Sequence, residues 1–144
     1  MNINLDEFLN SIFKQKHYDE HILLAYQYDF EDGFQVTPWP FIDIKKAEFS
    51  TKRPTEYFNI ATVQKPETPE KDGTYYWRRS KQDCIAAHCL ICDNIGTKSE
   101  RQPQVSPSWK LEVAPGKFQW GYILEKPTEN LDYFEVVYQL ISDI

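Results

Sequence analysis

Most residues whose type and spacing could do chemistry in this sequence fall between Cys84 and Leu124. An apolar run over 85–91 leads into Cys92-Asp93-Asn94-Ile95-Gly96-Thr97-Lys98. After a polar loop with Pro103 and Pro107, the run from Ser108 to Leu124 is split by Pro115-Gly116. The first segment reads as a strand ending in an acidic turn, and the second as a hairpin. A carboxylate at a strand's end, beside a hairpin with one polar face, is what a site for a metal ion and a nucleotide needs.

The hairpin's register is set by its turn. With Pro115-Gly116 at the centre, Val113 faces Phe118, Leu111 faces Trp120 and Trp109 faces Tyr122, which makes one apolar face. On the other face Glu112 opposes Gln119 and Lys110 opposes Gly121. Gly121 has no side chain and lets a ligand approach the backbone there. Such a face is ordinarily solvated sheet surface, and the sharper reading is a binding floor. The preceding strand is less tidy. Strict alternation puts Asn94 with His88 and Cys92, and Asp93 with the aliphatic residues. A bulge, or the strand's end near Cys92, is needed to swing Asp93 into a site. Asp-Asn before Ile-Gly is also ordinary turn chemistry.

A second cluster is basic. Arg78, Arg79 and Lys81 stand beside Tyr76 and Trp77; guanidinium forks match phosphate oxygens, and the aromatic rings offer a stacking surface for a base. A short basic run is more often solvated surface, unless Lys98, Arg101, Lys110 and Lys117 converge with it. Zinc is disfavoured: Cys84, His88 and Cys92 share parity but span about 26 Å along a strand at roughly 3.3 Å per residue, whereas zinc holds its ligands within about 2.3 Å. Buried, inert thiols fit better.

The elements that must position these groups are those of one domain of 144 residues, with the composition of a soluble globular protein. The net charge of −6 gives no long-range attraction for nucleic acid, so any grip on a phosphate backbone must be local. The acidic start lacks the basic region of a signal peptide, no apolar run reaches the length of a membrane span, and the three cysteines are an odd number. A cytoplasmic protein with reduced thiols is expected. Asn4 and Glu7 suggest a capping box for a first helix ending near Lys16-His17. A strand is expected over 21–28, a short return strand over 33–37, a short helix over 42–53 and a strand over 57–64. Lys65 to Gly73 reads as an exposed loop. A terminal helix is expected over 130–144 from Leu131, Phe134, Val137, Tyr138 and Ile141.

Two of these segments, in this order, resemble the archaeo-eukaryotic primase superfamily, most closely the primase-polymerase domain of phage and plasmid replication proteins. The family's strand ends in Asp-Asp-Ile-Gly-Thr-Lys, matched here by Asp93-Asn94-Ile95-Gly96-Thr97-Lys98. Its hairpin carries Glu-Thr-Ser-Pro-Gly-Asn-(aromatic)-Gln, matched by Glu112-Val113-Ala114-Pro115-Gly116-Lys117-Phe118-Gln119. The resemblance covers about half of the chain, from Tyr57 to Leu124. It implies an α+β fold, an RRM-like mixed or antiparallel sheet with helices packed on one face and a helix at each end of the chain. It implies a DNA replication-related nucleotidyltransferase that binds nucleoside triphosphate, a single-stranded DNA template and Mg2+ or Mn2+. Asp93 would be the catalytic, metal-binding carboxylate, with Asn94 and Glu112 as further metal contacts. Gln119 would stand where many members place a nucleotide-contacting histidine. Lys98, Gly116, Lys117 and Gly121 would line the nucleotide, and Arg78, Arg79, Lys81 and Trp77 the nucleic acid. The chain would be a primase-polymerase-like domain, whole or a truncated or N-terminal part of a larger replication protein with a helicase or further domains as partners.

Two departures matter. Asn94 stands where the family has a second aspartate. A unit-charge pair 4 Å apart is worth about 4 kcal/mol at an effective dielectric of about 20, so this loss weakens an ion site. Magnesium often uses one or two carboxylates and borrows substrate phosphates, which favours binding over two-metal transfer. The family's third acidic motif also has no convincing counterpart after Gln119. Two other functions therefore stand beside the enzyme: a catalytically inactive module that binds nucleotide or single-stranded nucleic acid, and a phage-type protein that reuses the scaffold for protein contacts.

Overall fold

The structure, a computed structural model, describes residues 5–27, 41–43, 55–67, 69, 71, 73, 77–97 and 102–142. The chain is α+β and divides into two compact units, Lys16–Ala86 and Met1–Gln15 with Ala87–Ile144.

In the Lys16–Ala86 unit, strand β1 (Leu23–Gln27) lies between β2 (Phe41–Asp43) and β3 (Thr55–Phe58), antiparallel to both. The helix expected over 42–53 gives way, where the chain is described, to β2: Ile42 pairs with Leu24. The return strand over 33–37 lies outside the described residues. The single strand expected over 57–64 is two, because the chain breaks at Asn59 and Ile60 before β4 (Ala61–Val63) begins. The Asn59 side-chain amide donates to the Ala61 carbonyl at 2.8 Å, a local bond that competes with a continued strand.

Leu23, Val63 and Trp77 form the core of this unit, with half-buried Cys84 packed against them. Beside it lies a buried carboxylate. Glu20 accepts from the Thr62 hydroxyl at 2.6 Å and from the His17 backbone N–H. Hydrogen bonding of this kind is what makes a buried acid tolerable.

In the other unit, α1 (Leu5–Ile12) buries Leu9 and Ile12, and Phe13 beyond it, while Asp6, Glu7, Asn10 and Ser11 stay exposed. The helix stops a turn earlier than its pattern predicts. Gln15, past its end, donates its side-chain amide to the carbonyls of Leu124 at 3.4 Å and Glu125 at 2.7 Å. From Ala87 onward, strand β5 (Cys84–Ile95) runs antiparallel to β7 (Lys117–Thr128), and β7 to β6 (Trp109–Ala114), so that the strand order in this unit is β5-β7-β6. The register of β7 shifts between the Ala87–Thr128 and Cys89–Ile123 pairs, so Leu124 and Glu125 lie where the ladder is interrupted and Gln15 supplies donors there. Helix α2 (Leu131–Ser142) begins at Asn130, whose side-chain oxygen accepts the Tyr133 N–H at 3.1 Å, a bond typical of an N-cap. Among the described residues no helix is long and apolar enough to cross a membrane.

Candidate functional site

The bulge that Asp93 requires is present. Cys92 pairs with Trp120 and Ile95 with Phe118, so three residues of β5 advance against two of β7. The extra residue breaks the alternation, which leaves Asp93 exposed while Ile95, 4% exposed, stays in the core. Asn94 takes the left-handed conformation, φ 60°, which Asn tolerates better than most side chains. Asp93 Oδ1 accepts the Asn94 N–H at 2.8 Å. The Thr97 N–H and hydroxyl both reach the Asn94 carbonyl at 3.3 Å and close the turn.

The hairpin turns at Pro115-Gly116 as its sequence predicts, with Ala114 opposite Lys117 and Gly116 at φ 73°. Its faces differ from those predicted. A register shift between Glu112 and Ala114 leaves Val113 as the extra residue, so Glu112 opposes Phe118, Leu111 opposes Gln119, Lys110 opposes Trp120 and Trp109 opposes Gly121. A one-residue slip moves every side chain to the other face. Glu112 and Gln119 therefore do not share a polar face. One face carries Lys110, Glu112, Phe118 and Trp120, and Lys110 Nζ sits 4.3 Å from the Trp120 ring centre. The other carries Trp109, Leu111, Gln119 and Gly121.

The turn after β5 and the hairpin tip lie against each other. A side-chain carbon on Gly96 would fall 2.7 Å from the Gly116 carbonyl oxygen, so only glycine admits this approach, and its φ of 89° demands glycine as well. Glu112 holds the tip from below: its Oε1 accepts the Gly116 N–H at 3.0 Å. That carboxylate thus orders the turn through one of its two oxygens. Gly121 is not open to a ligand either, because a side-chain carbon there would land within the Trp109 indole. That ring packs edge-on against Phe8 at 5.1 Å.

Of the other predicted residues, Lys117 and Gln119 are half-buried next to the tip. Lys98 lies outside the described residues. Arg78, Arg79 and Lys81 are exposed in the Lys16–Ala86 unit. Trp77 is 8% exposed and lies edge-on to His21 at 4.9 Å, so its ring is core and offers no open face for stacking. The cysteines are free thiols, and burial pushes the pKa of each upward, that of Cys89 to about 12.

Among the described residues, no three His, Cys, Asp or Glu side chains group as a preformed ion site would need. Asp93 is exposed, and a single carboxylate of that kind suits an ion such as magnesium, which commonly takes only one or two protein carboxylates. Sequence reasoning missed Tyr138. From α2 its hydroxyl donates to the Ile91 carbonyl at 2.5 Å, and burial, then the neighbouring Cys92, Asp93 and Cys89, raise its pKa. Its helical spacing signalled only an apolar stripe.

Comparison of the chain with protein-family models, with curated proteins and with solved structures finds no match.

Proposed function

We propose that this chain is a primase-polymerase-type domain that seats a nucleoside triphosphate between the Asp93 turn and the Pro115-Gly116 tip. The reading rests on one observation: the two segments that carry the family resemblance abut at Gly96 and Gly116. In this arrangement Asp93, with Asn94 beside it, holds Mg2+ or Mn2+ together with the phosphate oxygens, and the ion supplies neutralisation of phosphate charge. Lys117, flanking the tip, adds a cation for the phosphates, and Gln119 contacts the nucleotide. Single-stranded DNA is the natural partner of such a domain, with Arg78, Arg79 and Lys81 as contacts to its backbone. The setting is DNA replication, with a helicase or further domains of a larger protein alongside.

A binding role without nucleotidyl transfer is the second reading, and a specific observation favours it. Asn94 stands where the family it resembles has a second acid, so the turn after β5 carries the single carboxylate of Asp93.

Nucleotide addition on a single-stranded template with Mg2+ or Mn2+ tests both, with Asn94→Asp and Asp93→Ala compared to the parent. Product from the parent or from Asn94→Asp supports transfer. No product from either, with oligonucleotide binding retained, selects the binding module. Asp93→Ala is expected to abolish metal-dependent nucleotide binding with the melting temperature nearly unchanged, and unaltered metal dependence removes Asp93 from the site. If neither nucleotide nor oligonucleotide raises the melting temperature, the scaffold serves protein contacts instead.

A further inference from the structure

We infer that Tyr138 is a positioning residue for Asp93: its hydrogen bond to Ile91 fixes where β5 leaves its regular ladder and so which way the acidic turn faces. The inference rests on the proposed nucleotide seat, in which Asp93 faces the ligand.

The geometry is local. Ile91 pairs with Gly121 and Cys92 with Trp120, and the register shift begins directly after Cys92. Tyr138 reaches the Ile91 carbonyl from α2 at 2.5 Å, across a sequence separation of 47 residues. Its ring is itself held, stacked on Phe134 with centroids 6.0 Å apart and planes 28° apart. The turn beyond Cys92 is conformationally costly, since Asn94 sits at φ 60°. A strained bulge persists only where its surroundings over-determine it, and without a fixed point it can migrate along the strand. Moving it by one residue returns Asp93 to the aliphatic side that strict alternation assigns it.

Tyr138→Phe removes the hydroxyl and keeps the ring. Amide resonances of Asn94, Ile95, Gly96 and Thr97 are followed by NMR, together with their broadening by Mn2+ alone and by Mn2+ with dATP. The control is Leu131→Ala, which loosens the start of the same helix about two turns away from Tyr138 and keeps its partner ring Phe134. Expected for Tyr138→Phe are shifted turn resonances and Mn2+–dATP binding about fivefold weaker, the size of one net hydrogen bond. Leu131→Ala is expected to lower the melting temperature at least as far while leaving the turn resonances in place. Turn resonances that stay put in Tyr138→Phe, or that move equally in Leu131→Ala, overturn the inference. If they move only in Tyr138→Phe but the parent protein binds no Mn2+–dATP, the positioning holds and the nucleotide reading fails.

Discussion

Alanine at Gly96 tests the contact on which the candidate site depends. Two costs combine there. A residue with a side chain pays about 1–2 kcal/mol for the left-handed conformation that φ 89° imposes. The new carbon also meets the Gly116 carbonyl oxygen at 2.7 Å. That atom is backbone and cannot rotate away, so overpacking adds about 1–3 kcal/mol. Gly116 provides the control. Its φ of 73° imposes the same strain, but a side-chain carbon there has nothing within 4 Å. Alanine also reduces the entropy of the unfolded chain, and this gain is common to both variants and cancels. Gly96→Ala should therefore be less stable than Gly116→Ala by about 1–3 kcal/mol, roughly five- to 150-fold in the folding equilibrium. Urea unfolding at unchanged m-value reads this difference directly. Equal destabilisation, within about 0.5 kcal/mol, would show that the two turns do not touch, and the proposed nucleotide seat would lose its basis.

The remaining predictions concern the packing around that seat. Gly121→Ala should expel the Trp109 indole from Phe8, cost about 1–3 kcal/mol and red-shift the tryptophan fluorescence. A Trp109→Leu background should absorb most of the cost, and full additivity of the two changes would contradict the account. The alkaline limb of stability should carry the signature of Cys89. Its folded-state pKa of about 12 stands above the ordinary 9.0, so the folded protein keeps a proton that the unfolded chain releases. That contribution is complete below pH 9 and is lost as pH rises toward 12, with a slope of about 1.4 kcal/mol per pH unit. Cys89→Ala should flatten the limb by that one-proton slope, as urea titrations between pH 8 and 10.5 can measure; an unchanged slope assigns the dependence to other groups.

The elements with strong local signals were legible in the residues themselves. The apolar spacing in α1 and α2, the long run of β5 and the Pro115-Gly116 turn each depend on neighbours in sequence, and each stands close to where its pattern places it. Weak local signals misled: 57–64 is continuously β-prone, yet the side chain of Asn59 and the pairing of β3 and β4 with different partners divide it.

What only the tertiary structure decided was which side each residue faces. Alternation along a strand determines faces only until one residue is inserted, and bulges fall in both strands that carry the candidate site. At Asp93 the bulge frees the acid that alternation would bury, while at Val113 it separates Glu112 from Gln119. Where a bulge settles depends on distant contacts, such as Tyr138 on Ile91. Trp109 over Gly121 and Trp77 on Leu23 and Val63 show the same limit. Residue type reveals that an aromatic ring needs burial, but the surface that accepts it comes from segments far away in sequence.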